Sequence, residues 1–273
     1  GMDRVPGMSN PLDDIKKIIY RDEGRLLPCT TKLQLISSQP YEVEFDPIDH
    51  AYYLNGDKCI SGSVFANRFK VEFDPGMVNK TTGLSILEAS AKKLGLTVDE
   101  TKELWSIRGD AGRARGTMFH AYLEAYGKFI KIIKDNPELE EKILPKDNYV
   151  RKVVESFFKG RENEIALYEA TVWTRINSIS CAGEIDRLQI IDVNKKIVRV
   201  QDFKTNDDIK KRIGILPPFK GKLKGTELEA YRLQLDFYAA ILTKAGYTVE
   251  GLDIFHWDQE KDKWITYSFE SMD

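Results

Sequence analysis

Cysteine is scarce in this 273-residue chain. There are three, Cys29, Cys59 and Cys181, and no two share the C-x-x-C spacing of a zinc or iron–sulfur site. Their scatter argues against a metal-thiolate centre and against a disulfide framework, and makes an intracellular, cytoplasmic setting the expectation. No apolar run approaches the ~20 residues that a membrane helix needs, and no signal-peptide pattern opens the chain, so no membrane partner is expected. Gly1 ahead of Met2 reads as a residue added before a native start. Positive charge is not in excess either: 41 Lys and Arg face 43 Asp and Glu, for a formal net charge of −2. A polyanionic partner would have to be gripped by a local patch, which argues against a simple DNA-coating role but not against an enzyme with one basic groove. Repeats and low-complexity tracts are also missing. The remaining composition, 42% hydrophobic and 31% charged, describes a soluble globular protein, and the length suits one large domain or two small ones.

The most informative stretch runs from Gly183 to Thr205. Ile185, Leu188, Ile190 and Ile191 form one β-rich run, Asp192-Val193-Asn194-Lys195 is turn material, and Ile197, Val198, Val200 and Phe203 form a second run. This predicts a hairpin with Asp186 and Asp202 on neighbouring strands. Side chains alternate along a strand, so Asp202 and Lys204 share a face while Phe203 turns into the apolar layer. Two carboxylates and an ammonium on rigid strands can grip a hard divalent cation and steer a water, as metal-assisted hydrolysis requires. A D-x-K on an amphipathic strand is more often plain solvated surface, and the rest of the chain has to decide.

Before that hairpin, Ser9–Arg21 has the caps and apolar spacing of a short helix, and Tyr41–Leu54 alternates like a small hairpin. His50 sits beside its turn and reads as structural. A short helix is expected near Ser63–Phe69. Residues 97 to 134 are helix-rich, with an expected interruption around Arg108-Gly109-Asp110. There Gly116, His120 and Glu124 recur at a spacing of four, so they stack along one helical face. A buried His120 held by Glu124 would satisfy that pattern as well as a metal ligand would. A helix over Asn148–Arg161 with Val150, Val153, Val154, Phe157 and Phe158 as its core stripe leads into a strand, Ala166–Arg175, which carries Glu169. Together with the hairpin, this predicts an antiparallel meander in a mixed α/β domain.

Beyond the hairpin, Lys210, Lys211, Arg212, Lys220, Lys222 and Lys224 occur with no acid between them, among Gly214, Pro217-Pro218, Gly221 and Gly225. The segment reads as a flexible basic loop able to meet a phosphate backbone. A strong helix follows over Thr226–Lys244, with Gln234 and Tyr238 one turn apart, and two closing strands cover Leu252–Trp257 and Trp264–Phe269.

Taken in order, G-T-M-F-H, Glu169, G-E-I-D, D-F-K-T and Q-L-D-F-Y resemble the motifs of the PD-(D/E)XK nuclease superfamily, in its RecB-like branch, to which lambda exonuclease is related. The earlier D-P-I-D-H-A-Y-Y-L-N-G is similar to a leader of phage and bacterial members, so the resemblance covers roughly residues 45 to 260. It implies a restriction-endonuclease-like α/β core, a mixed β-sheet flanked by helices, within one nuclease domain over 1–273. Residues 1–110 would form an N-terminal hairpin and helical elaboration, and 111–273 the core. It implies Mg²⁺ or Mn²⁺ held by His120, Asp186, Asp202 and the Phe203 backbone carbonyl, with imidazole favouring manganese. Lys204 would orient or deprotonate the attacking water, and Glu169 would add an outer or second-metal carboxylate. Gln234 and Tyr238 would position Lys204 or a phosphate, while Lys220, Lys222, Lys224, Arg113 and Arg115 would meet substrate. The expected partner is DNA, single- or double-stranded, and the expected activity a deoxyribonuclease, an exonuclease first. The scattered cysteines depart from relatives that hold an iron–sulfur cluster. No G-x-x-x-x-G-K-[ST] occurs, so unwinding would need a helicase or recombination partner. A homo-oligomer, such as the trimeric ring of lambda exonuclease, is an expectation by analogy alone. Two other readings stay open: a silent nuclease fold used for nucleic-acid binding or assembly, and a hydrolase of another phosphoester.

Overall fold

The computed structural model describes residues 43–272 apart from 47, 50 and 55. The Ser9–Arg21 helix, Cys29 and His50 fall outside the described residues. The first elements form a small antiparallel sheet: β1 (Val43–Asp46), β2 (Ala51–Leu54) and β3 (Asp57–Lys58). Leu54 and Cys59 pack here against Trp173 and Ala182. Helices α1 (Gly62–Asn67) and α2 (Ile86–Leu94) follow, each opened by a serine whose side chain accepts a first-turn amide.

Helix α3 (Val98–Asp135) then runs for 38 residues without a break. The interruption expected around Gly109 is absent, and the helix passes straight through residues 110 and 111. A glycine costs a helix only about 1 kcal/mol relative to alanine, and the long helix on either side holds these in register. After α4 (Glu138–Ile143) comes α5 (Asn148–Phe158), capped by Asp147 and buried through Val150, Val153, Val154, Phe157 and Phe158.

The main sheet has the order β4-β5-β6-β7-β8, from β4 (Ile165–Ile176), β5 (Ile179–Asp192), β6 (Ile197–Lys204), β7 (Thr248–Asp258) and β8 (Lys263–Phe269). The first three strands form the expected antiparallel meander. Helix α6 (Glu227–Lys244) crosses over so that β7 returns parallel to β6, and β8 pairs antiparallel with β7. The fold is thus mixed α/β, a five-stranded mixed sheet flanked by helices. On one face Val198, Val200, Leu252 and Ile254 pack with Leu235, Ala239 and Leu242 of α6. On the other, Phe203, Phe255 and Trp257 pack with Phe119 and Leu123 of α3 and Phe157 of α5.

The alternation of β4 and β5 slips once, at facing positions. Ala166 and Tyr168 pack on the α3–α5 side, yet Ala170 and Val172 pack on the α6 side with Leu167. The ladder pairs Tyr168 with Arg187 and Ala170 with Ile185, which places Glu169 opposite Asp186, and Glu169 takes φ 51°. Such irregularities re-aim a side chain and end regular pairing. Here the irregularity falls where β5 and β6 part.

Among the described residues, no helix is long and apolar enough to cross a membrane.

Candidate metal centre

The β5–β6 ladder closes at Arg187 and Gln201, two residues short of the end of Asp202-Phe203. Asp186 takes over from there. Its Oδ2 accepts from the Phe203 amide at 2.9 Å, so the carboxylate caps the donor the ladder leaves open. Asp202, next on β6, is buried at 7% exposure. From α3, His120 reaches over the parted strands, and its Nε2 stands 3.0 Å from Asp186 Oδ2. One ligand atom each from His120, Asp186 and Asp202 lie within 4.8 Å of one another.

His120 is oriented by its own helix. Its Nδ1 lies 2.7 Å from the Gly116 carbonyl, an acceptor, so Nδ1 carries a proton and Nε2 faces the carboxylates. Gly116 keeps this helix close to the strand end, since a Cβ there would meet Thr205 Oγ1 at 3.2 Å. Glu124, a candidate for the orienting role, pairs with Lys128 instead. The helix carbonyl is nearer and needs no side-chain reach.

Charge is concentrated here. Burial drives the Asp202 carboxyl up to about 8, and the Asp186 carboxylate beside it pushes the same way. Burial also opposes ionisation of Asp186, but a hydrogen bond from Asp202 and the cations of His120 and Lys204 outweigh it and hold Asp186 below the usual carboxylate range. The pair therefore keeps one proton between two acids. Burial alone would lower His120, yet Asp186 overrides it and raises the imidazole to about 9. Lys204 is likewise raised, since Asp202 and Asp186 outweigh its burial. Its Nζ lies 3.0 Å from Asp202 Oδ2 and 4.2 Å from the centre of the Tyr231 ring.

This donor set fits a divalent cation. Asp202 Oδ2 is buried and accepts no well-formed hydrogen bond, even with Lys204 nearby. An orphaned carboxylate oxygen, a second carboxylate and an imidazole nitrogen converge where a proton now offsets their charge. His120, Asp186 and Asp202 would hold the ion.

The remaining candidates are distributed around this centre. Phe203 enters it through its amide, with its ring 6.1 Å from that of His120. Glu169 lies across the ladder from Asp186 and outside the three-residue cluster. Gln234 donates to the Tyr238 hydroxyl at 3.1 Å. Tyr238 is 5% exposed and wedged against two glycines, for a Cβ on Gly183 would sit 2.3 Å from its ring and one on Gly62 2.7 Å. The glycine of G-E-I-D thus exists to receive the tyrosine of Q-L-D-F-Y. The aromatic group on Lys204 is Tyr231, three residues before Gln234, which sequence reasoning did not single out.

A cleft of about 370 Å³ opens onto Lys204 and His120, lined also by Arg108, Arg113 and Arg115 of α3 and by Tyr231. Arg115 donates to the Thr205 carbonyl at 3.3 Å and approaches Asp207 at 3.4 Å, while Arg113 pairs with Asp110. The basic segment is not a flexible loop. Ile209, Ile215 and Leu223 are buried, and Leu216 N donates to Phe69 O at 2.7 Å. Apolar residues alternate with its lysines and pin it to α1 and α6. Lys220, Lys222 and Lys224 are exposed and line neither this cleft nor the larger one beside α1. His256, also missed, is buried next to Lys204 in the parallel ladder, where its Nε2 meets Asn206 O at 2.6 Å and holds the turn after β6.

No protein-family profile matches the chain, and no curated protein does. Among solved structures, that of SSO0001 is similar at 18% identity over 55% of this chain and 65% of that one, with a TM-score of 0.28, too slight a likeness to bear on function.

Proposed function

We propose that this chain is a metal-dependent phosphodiesterase acting on nucleic acid, with a PD-(D/E)XK-type centre and a restriction-endonuclease-like core. The observation that carries this reading is the convergence of His120, Asp186 and Asp202 within 4.8 Å, with Lys204 3.0 Å from Asp202. The antiparallel β4-β5-β6 meander, continued by a parallel β7, supports it by bringing Asp186 from the middle of β5 beside Asp202 near the end of β6.

A divalent cation, when bound, supplies positive charge to the scissile phosphate and acidifies water. The chain's own groups do the rest. His120 Nε2, Asp186 and Asp202 fix the cation's place, and the Gly116 carbonyl holds the imidazole in the required tautomer. Lys204 is held as an ammonium, which suits it to steer a water and offset charge on the phosphate oxygens rather than to remove a proton. The Tyr231 ring, 4.2 Å from Nζ, holds that ammonium in place at the cleft. Arg108 and Arg115 line the same cleft and offer guanidinium groups to the phosphates of a bound strand.

The test is cleavage of labelled single- and double-stranded DNA and RNA with Mn²⁺ or Mg²⁺. Wild type should cut in a metal-dependent manner, better with manganese, while Asp202→Asn and Lys204→Ala lose at least a hundredfold and melt as folded proteins. Full cleavage by either folded variant would remove the assignment.

A further inference from the structure

We propose that the substrate strand is unpaired where it approaches the centre, and that it lies in one groove floored by aromatic rings. This rests on the phosphodiesterase reading above and names the form of nucleic acid it takes. The second cleft, of about 710 Å³, lies between the segment after α1 and the start of the basic segment, with Lys70, Phe73, Met77, Lys211 and Arg212 among its lining.

The two clefts have no lining residue in common, but they adjoin along α6 and around Tyr231. On α6, Glu227 lines the larger cleft and Tyr231, one turn on, lines the smaller. Lys70 and Lys204 flank the Tyr231 ring, with Lys70 Nζ 5.6 Å and Lys204 Nζ 4.2 Å from its centre. On α3, Trp105 meets Phe73 at 6.4 Å, and Arg108, again one turn on, lines the smaller cleft. One groove therefore runs from Phe73 and Trp105 past Tyr231 to the metal centre.

Its chemistry selects the occupant. Phe73 is 58% exposed and Met77 60%, a large apolar display for a segment held between two helices. The cation of Lys211 stands 5.4 Å from the Phe73 ring. In the larger cleft Lys70, Lys211 and Arg212 are matched by Glu72, Asp74 and Glu227, so net charge alone would not draw a polyanion there. In the smaller cleft Arg108, Arg113, Arg115 and Lys204 face Asp207 alone among the charged lining. Bases stack on the outer rings and phosphates are gripped beside the metal centre, the division of labour of single-strand binding. Paired bases in a duplex have no free faces for such a floor.

The experiment measures anisotropy of a fluorescein-labelled oligothymidylate and of a hairpin duplex of equal length, in EDTA to prevent cleavage, on the full chain. The single strand should bind at least tenfold more tightly. Phe73→Leu, which keeps apolar area but removes the ring, should weaken it by about tenfold without changing the log–log salt slope. Trp105 fluorescence should be quenched by the strand, and Trp105→Leu should lose both the quench and affinity. Equal binding of duplex, or a folded Phe73→Leu protein that binds the single strand like wild type, would overturn the proposal and leave the exposed patch to a protein partner. Hydrolysis of bis(p-nitrophenyl) phosphate with Mn²⁺ tests the underlying reading separately. Its absence in wild type would sink the hydrolase while leaving ring-dependent strand binding intact.

Discussion

At the scale of single residues, His120 and Asp202 set the response to pH. Each is raised in the fold, His120 from 6.5 to about 9 and Asp202 from 3.8 to about 8. For a raised group the fold holds the proton more tightly than the unfolded chain. His120 therefore contributes stability that is full below about 6.5 and lost as pH rises through 9. Asp202 contributes most below 3.8 and loses it progressively up to about 8. Asp186, lowered, acts in the opposite sense and loses its contribution only in acid. The metal-free protein should thus melt at lower temperature as pH climbs from 6.5 to 9. Saturating Mn²⁺ should restore it, more at pH 8.5 than at 6.5, because the ion takes the place of those protons. Asp202→Asn removes a buried acid and should stabilise the metal-free protein at pH 8 by roughly 1–3 kcal/mol, seen as a higher melting temperature, while abolishing cleavage. A scan that rises from pH 6.5 to 9, or an unaltered Asp202→Asn melt, would contradict the charge assignment. Tyr231 gives a second residue-level expectation. Tyr231→Phe keeps the ring under Lys204 and should retain most activity, whereas Tyr231→Leu should lose about tenfold in kcat with metal affinity unchanged.

At the scale of elements, what the sequence revealed divides along a physical line. Asp202, Phe203 and Lys204 were legible because strand alternation is local, and the Asp192–Lys195 turn is anchored by a local contact, Lys195 N donating to Asp192 Oδ1 at 2.9 Å. His120 was legible because i, i+4 spacing fixes a helical face. The slip at Glu169 and Asp186 was not, since it is a property of two paired strands and each reads as ordinary β alone. Nor was Tyr231, whose role depends on α6 lying over β6. The expected break around Arg108-Gly109-Asp110 did not materialise because a helix of 38 residues outvotes one poor helix former. The interlock of Gly183 with Tyr238 can be tested at this scale. Gly183→Ala should cost about 1–3 kcal/mol, because the added carbon meets a buried ring, and Tyr238→Leu should relieve part of it. Additive losses in the double mutant would show that the two motif residues do not touch.

For the molecule as a whole, a formal charge of −2 requires that any polyanion be bound by geometry and local charge. Arg108, Arg113 and Arg115 of α3 line the cleft at the centre, whereas Lys220, Lys222 and Lys224 line neither cleft. Changing those three lysines to Ala should leave the salt slope of strand binding within error. Arg108→Ala with Arg115→Ala should flatten it by roughly 0.7 per lost contact with a single strand. A flattened slope in the lysine variant would move the groove to the other side of the basic segment. Metal-dependent cleavage depends on one cation site, so the most direct test is a calorimetric Mn²⁺ titration of the full chain at pH 8. Wild type should show a site that is lost in Asp186→Asn, weakened at least tenfold in His120→Ala, and kept in Lys204→Ala. Manganese binding that is absent from wild type, or unchanged when Asp186 and His120 are replaced in folded protein, would contradict it.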